Sequence, residues 1–300
     1  MLRQALRSGL FRFLKSKPHW STRLLWILKE ARPDIPIVLD YAVRSQPRYD
    51  VTHPHPRLYA MMAGRTDVYA THLGRFLELK NDLLRIPRSA PEGVAQASWL
   101  NEFQPPLDAL ALYCFVALTN PRLYLEVGSG FSTSLVRRAI GDHQLRTKIL
   151  SIDPQPRAEI DSICDTVIRS PLETCDLGVF DQLQDGDILF IDSSHRCFMN
   201  SDATVLFLEV LPSLRPGVLV QVHDIFLPYD YPEGWVDRYY GEQYLLACYL
   251  LAGGCNLEIV LPNCFVTNHP DLRTILAPLW AEDVMHGIAA RGWGFWARTK

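Results

Sequence analysis

Short apolar runs separated by helical stretches fill the chain beyond about residue 105, and that grammar leaves few folds open. The runs fall at residues 123–127, 149–152, 166–168, 188–191, 218–222 and 257–261. They are continuously apolar rather than alternating, so each strand is expected to be buried on both faces. Such strands form a parallel sheet with helices on either side. Helices are expected between them at 132–140, 157–164, 175–183, 201–214 and 242–252, and an apolar helix over 107–118 is stopped by Thr119-Asn120-Pro121. Residues 295–298 supply a last, antiparallel edge strand. The spacing therefore predicts a doubly wound α/β domain over residues 101–300.

Residues 1–100 have a different grammar and are expected to form an N-terminal helical extension with an irregular connector. The first 32 residues carry eight Lys or Arg and one acid, Glu30. Leu2, Leu6, Leu10, Phe13 and Leu14 recur at helical spacing, so this is a basic amphipathic helix, with a second over 20–31. Such a helix either packs on the body of the protein or lies peripherally on an anionic membrane. Residues 34–56 are rich in proline, and His53 and His55 read as loop residues between prolines. A helical pattern returns over 57–86, and 87–96 has the composition of a linker.

Composition excludes several classes. The net charge of −3 lacks the basic excess of a dedicated nucleic-acid binder. No run reaches the roughly 18 uncharged apolar residues of a membrane span. The seven cysteines form no CxxC pair, so they read as buried thiols in a reducing compartment, and the cytoplasm is the expected location.

The most informative segment runs Leu123-Tyr-Leu-Glu126-Val-Gly128-Ser129-Gly130-Phe-Ser132-Thr133-Ser. It is a buried strand, a glycine turn and a helix start. Gly128 and Gly130 let the backbone turn sharply and bring main-chain N–H groups close to a ligand. A dinucleotide fingerprint requires a third glycine at 133, where this chain has Thr133. Glu126 repels a pyrophosphate but suits a cationic amino or sulfonium group. The P-loop is excluded, because no Gly-Lys-Ser/Thr follows. Asp153 ends the second strand 25 residues after Gly128. There a carboxylate can accept both ribose hydroxyls, or it can cap a helix.

These residues resemble the class I S-adenosylmethionine-dependent methyltransferases. The longer phrases at 125–133, 151–157, 187–195 and 222–232 are similar to a subgroup akin to bacterial macrolide and antibiotic-sugar O-methyltransferases. The resemblance covers roughly residues 100–265. It implies a Rossmann-like, mostly parallel seven-stranded sheet whose last strand is antiparallel. It also implies that Glu126 and the Gly128-Ser129-Gly130 turn hold the methionine moiety and that Asp153 holds the ribose. Ser132 stands where many members have a third glycine.

Two polar clusters follow strand ends on the side where open α/β sheets bind ligands: Asp192-Ser193-Ser194-His195 and His223-Asp224. In the resembling fold these strands are neighbours. Methyl transfer is an in-line displacement that needs orientation and a deprotonated nucleophile. A histidine can take the proton of a hydroxyl as transfer proceeds. In the relatives, the aspartate ending the fourth strand and an acidic pair ending the fifth bind magnesium, and the histidine three residues after the first is the base. Carried over, His195 is the base, with Asp192 beside it as a catalytic and cofactor-binding residue. Asp192, His223 and Asp224 are the candidates for a divalent cation, magnesium or manganese. His223 occupies an acid's position, and imidazole suits manganese, iron or zinc better than magnesium; a satisfied buried histidine is the alternative. Phe226, Tyr229, Tyr231 and Trp235 either line an acceptor pocket or form a packed lid, and Arg196 and Arg238 are candidates for holding an anionic acceptor.

The expected function is thus S-adenosylmethionine-dependent O-methylation of a sugar, glycan precursor or small-metabolite hydroxyl. The rivals are a dinucleotide-dependent oxidoreductase and a non-catalytic scaffold recruited by the basic N-terminal helices.

Overall fold

The computed structural model describes residues 46–91, 96–101, 103–156, 159–253 and 256–300. The chain divides into two compact units, Met1–Ser45 and Gln46–Lys300. The basic helices expected within 1–32 lie outside the described residues. So do most of the 34–56 connector and residues 92–95 of the linker.

The second unit is built on one seven-stranded sheet. Its strands are β1 (Leu123–Val127), β2 (Lys148–Ile152), β3 (Thr166–Ile168), β4 (Ile188–Ile191), β5 (Leu219–Val222), β6 (Leu257–Pro262) and β7 (Phe295–Thr299). The order is β3-β2-β1-β4-β5-β7-β6. β1 to β5 run parallel, and β7 is antiparallel to both its neighbours. Every residue of β1, β4 and β5 is buried, as continuous apolar strands covered on two faces require.

The main helices are α1 (Pro56–Ala63), α2 (Thr66–Glu78), α3 (Pro106–Thr119), α4 (Phe131–His143) and α5 (Glu242–Leu251). His55 caps α1, its Nδ1 accepting from the Leu58 amide at 3.4 Å, and Pro56 takes the first helical position. Tyr69, Leu73 and Phe76 of α2 recur at helical spacing and are fully buried. Phe76 meets Phe115 of α3 edge-on at 5.1 Å, and Phe115 packs on Trp296 of β7 at 4.5 Å. The helical stretch before residue 100 therefore shares one core with the sheet. α3 is buried on all sides from Leu107 to Val116 and ends where Asn120 turns left-handed, with φ 45°.

Three expectations are corrected. β7 is antiparallel as expected, but it is an interior strand; the edge is β6. Phe295 and Trp296 are almost completely buried, and such side chains gain most between two neighbours. β6 carries the charge that guards an edge, with Glu258 held by Arg65 at 2.5 Å. The helix expected at 157–164 is, over its described part, a single 3-10 turn at Asp161–Ile163, and that at 175–183 is a 3-10 turn at Leu177–Gln182. Pro154 and Pro156 precede the first, where the crossover from β2 to β3 is short. Asp176 caps the second turn through the Gly178 amide. The helix expected at 201–214 begins at Asp202 behind Ser201, whose Oγ accepts from the Thr204 amide, and widens into a π turn at Leu206–Val210. Among the described residues no helix is long and apolar enough to cross a membrane.

Candidate active site

The register of the sheet assembles the site. Ile152, Val127, Ile191 and Val222 are side by side at the carboxyl ends of β2, β1, β4 and β5. The next residue on each strand is therefore part of one row: Asp153, Gly128, Asp192 and His223. Ladder hydrogen bonds continue into the row, from the Gly128 amide to Ile152 O, from Asp192 to Val127 O and from His223 to Ile191 O, at 3.0, 2.9 and 2.8 Å. Gly128 has φ +81°, and a Cβ there would lie 1.8 Å from the Asp192 carbonyl oxygen. Only glycine lets β1 and β4 end this close together.

A cavity of about 400 Å³ opens over the β2–β1–β4 part of the row. Of the cofactor candidates, Gly128, Ser129, Gly130, Ser132, Asp153 and Asp192 all line it. Asp153 Oδ2 accepts from the Ser129 amide at 2.8 Å and Oδ1 from the Gln155 amide at 2.7 Å. These bonds fix the carboxylate at the wall and leave each oxygen further acceptor capacity. A Cβ on Gly130 would meet no protein atom within 4 Å, so the backbone there is bare toward a ligand. Asp153, Glu173, Asp192 and Asp202 all line the cavity, and no Lys, Arg or His does so among the described residues.

Glu126, the remaining cofactor candidate, lies beneath the glycine turn. It lines neither this cavity nor the next, and it is fully buried. Thr133 Oγ1 donates to its Oε1 at 2.5 Å, and Ser132 and Tyr124 donate to Oε2 at 3.1 and 3.2 Å. Thr133 in turn accepts from the Gly130 amide at 3.1 Å. Glu126 thus ties the glycine turn to the start of α4 from beneath. Burial raises its pKa to about 7 against the pull of those hydroxyls.

The β4–β5 end of the row holds the histidines. His195 is 3% exposed, with Nδ1 2.8 Å from Glu242 and Nε2 3.1 Å from Asp192 and 3.5 Å from Asp224. Burial opposes a charge on this ring, but the bonds to Asp192 and Glu242 outweigh it and hold the pKa well above the usual histidine value. His223 is also buried. Its Nδ1 faces Asp224 at 3.2 Å and Asp192 at 3.6 Å, its Nε2 faces Asp108 at 3.6 Å, and among the described residues neither nitrogen makes a hydrogen bond. Against the cost of burial, the two histidines hold the Asp192 carboxyl well below the ordinary range. Atoms of Asp192, His223 and Asp224 lie within 4.8 Å of one another, a set able to hold a metal ion. His195 and Asp224 both adopt left-handed backbone, at φ 59° and 56°, a cost that concentrates at functional positions.

A second cavity, of about 580 Å³, opens over this end and is lined by Asp192, His195, His223 and Asp224. The two cavities meet: Asp192, Phe103 and Gln104 line both. The aromatic loop after β5 divides between the two readings open to it. Phe226, Tyr229 and Tyr231 are buried in a cluster of their own, whereas Trp235 reaches the cavity wall with Tyr240, whose ring lies tilted against that of His195 at 4.6 Å.

Sequence reasoning missed three residues. Glu242, which orients His195, was visible only as an acid at a helix start. Asp108 was visible as the lone acid in an apolar helix; it faces His223 and accepts from the Trp293 and Gly294 amides at 2.9 and 2.8 Å and from Asn263 at 2.7 Å. Gln104 carries no signal at all, since only the fold sets it between the cavities.

Residues 125–225, from β1 to just past β5, match the family model described as a methyltransferase domain. No curated protein matches the chain. Among solved structures, it is similar to an O-methyltransferase from Bacillus cereus in complex with SAH, at 15% identity over 77% of this chain and 91% of that one, with TM-score 0.40. It is also similar to the SAH-bound methyltransferase PaMTH1 of Podospora anserina, at 14% identity over 80% and 95%, with TM-score 0.39. A third is TomG of Streptomyces achromogenes, an O-methyltransferase involved in tomaymycin synthesis, at 18% identity over 68% and 89%, with TM-score 0.33. The residues matched by the methyltransferase-domain model hold five of the seven strands of the sheet, β1 to β5.

Proposed function

We propose that the protein is an S-adenosylmethionine-dependent O-methyltransferase whose acceptor is the hydroxyl of a sugar, glycan precursor or other small metabolite. One observation carries the reading: a cavity lined by four carboxylates and, among the described residues, no cationic side chain meets a histidine-lined cavity at Asp192. Such a wall repels a pyrophosphate and attracts an ammonium or sulfonium, which disfavours a dinucleotide. S-adenosylmethionine, when bound, supplies a methyl group on a cationic sulfur. Asp153 would take the ribose hydroxyls, the bare Gly128–Gly130 backbone the methionine portion, and Asp192 the ammonium group. Glu126 acts through Thr133 as a positioning residue for that turn.

The acceptor hydroxyl enters the second cavity. Glu242 fixes Nδ1 of His195 as a donor, which aims Nε2 at Asp192 and Asp224, the orientation required of a general base. As found, Nε2 also bonds a carboxylate and has no lone pair to offer. A hydroxyl inserted between Nε2 and Asp192 replaces that contact; Nε2 releases its own proton to solvent as the contact breaks, and its freed lone pair then takes the hydroxyl proton as the methyl group transfers. Asp192, His223 and Asp224 fit a divalent cation, because the buried His223 ring has two nitrogens without hydrogen bonds. Such an ion would lower the pKa of the acceptor hydroxyl, and the imidazole favours manganese, iron or zinc. The six described cysteines are free thiols, which supports a cytoplasmic setting.

The test is calorimetric titration with S-adenosylmethionine and with NAD, followed by mass spectrometry of methylated products from a metabolite extract, with and without chelator. S-adenosylmethionine is expected to bind and to yield a product gaining one methyl group. Tight NAD binding with no response to S-adenosylmethionine overturns the reading. His195→Ala is expected to lose at least about 100-fold in transfer while keeping donor affinity within about twofold.

A further inference from the structure

The second cavity is charged in a way that methyl transfer alone does not require. Its inner end carries the carboxylates Asp192 and Asp224, while Arg238 and Arg291 line it elsewhere. The Arg238 guanidinium lies 3.7 Å from the centre of the Trp235 ring, and that of Arg291 5.4 Å from the centre of Trp293. Among the described residues neither side chain is in an ion pair with a carboxylate. A guanidinium lying against an indole is covered on one face and keeps its in-plane N–H donors free, already oriented for a carboxylate or phosphate.

A second observation points to the same ligand. Gln104 is 2% exposed, and among the described residues neither its amide nitrogen nor its amide oxygen has a partner. Its backbone is clamped by Asn101, whose Oδ1 accepts from the Gln104 amide at 2.6 Å. A buried amide without a partner is costly. This one stands at the wall shared by both cavities, where a bound molecule would satisfy it.

We infer that the acceptor carries an anionic group, a carboxylate or phosphate, in addition to the hydroxyl that is methylated. Arg238 and Arg291 hold the anion, and Gln104 bonds a polar group beside the reacting hydroxyl. The two guanidiniums stand apart from the Asp192–His195 end, so holding the anionic end there sets the acceptor's direction in the cavity. This inference rests on the methyltransferase reading for the cavity's role as acceptor site.

The experiment titrates the full chain with glucose, glucuronate and glucose 6-phosphate, following tryptophan fluorescence, with S-adenosylhomocysteine bound. At least one anionic probe is expected to bind ten times more tightly than glucose, and which one does so separates carboxylate from phosphate. In the double variant Arg238→Gln/Arg291→Gln the preference falls below threefold while S-adenosylhomocysteine affinity is unchanged. Gln104→Ala weakens all binding probes by a similar factor. Equal affinity for all three probes, no saturable binding by either anion, or a preference that survives the double substitution overturns the inference. A preserved charge preference in a protein that binds no S-adenosylhomocysteine overturns the methyltransferase reading instead.

Discussion

Glu126 sits at the end of β1 with its carboxylate fully buried, and burial raises its pKa to about 7 although three hydroxyls donate to it. Between about pH 4.5 and 7 the folded protein then keeps a proton that the unfolded chain releases. The folded state binds more protons, so stability falls as pH rises through that window, by up to about 3 kcal/mol. Glu126→Gln removes this slope and retains an acceptor for Thr133. The variant is expected to match the wild type near pH 5 and to exceed it by about 2–3 kcal/mol at pH 8 in urea unfolding; parallel pH profiles for the two proteins would exclude the assignment. The sequence made the acid and its distance from the glycines legible, but not the direction of its side chain. Strand alternation puts Glu126 on the same face as Tyr124, beneath the start of α4, and which face carries the ligand depends on how that helix docks.

Asp108 belongs to the scale of elements, because it joins three of them. From the first turn of α3 it accepts from Asn263 just after β6 and from the main chain just before β7, and it faces His223 after β5. The chain approaches it so closely that a Cβ on Gly292 would lie 2.3 Å from Asp108 Oδ1. Asp108→Ala leaves two amides and a carboxamide without their buried acceptor, so a loss of about 3–5 kcal/mol is expected in chemical denaturation. A loss below about 1 kcal/mol would mean that β7 is held by its ladders alone. The seven strands themselves were legible, because continuous apolar runs have no other common explanation. The insertion of β7 between β5 and β6 was not, since pairing partners are chosen by the whole sheet. The two helices misread between strands show the same limit: a few apolar residues at helical spacing do not overcome prolines and a short crossover.

For the whole molecule, the consequential feature is that four strands end in register, so that one row of residues serves two cavities meeting at Asp192. The residues of the row were legible because each follows an apolar run. The cavities were not, since their shared wall comes from Phe103 and Gln104 in the loop before α3. This division predicts that donor binding and proton transfer can be separated by mutation. A ligand at 100 times its Kd stabilises the folded state by about 2.7 kcal/mol, and a unit of this size gains about 2–4 °C in Tm per kcal/mol. S-adenosylmethionine should therefore raise Tm by about 5–10 °C in the wild type. His195→Ala, which alters only the second cavity, should keep that shift while losing methyl transfer. Asp153→Ala, which alters only the first, should lose most of the shift. Asp192→Asn borders both cavities and should weaken both properties. If His195→Ala abolished the shift as completely as Asp153→Ala, donor and acceptor would not occupy separate chambers, and Asp192 would lose its place as the junction between them.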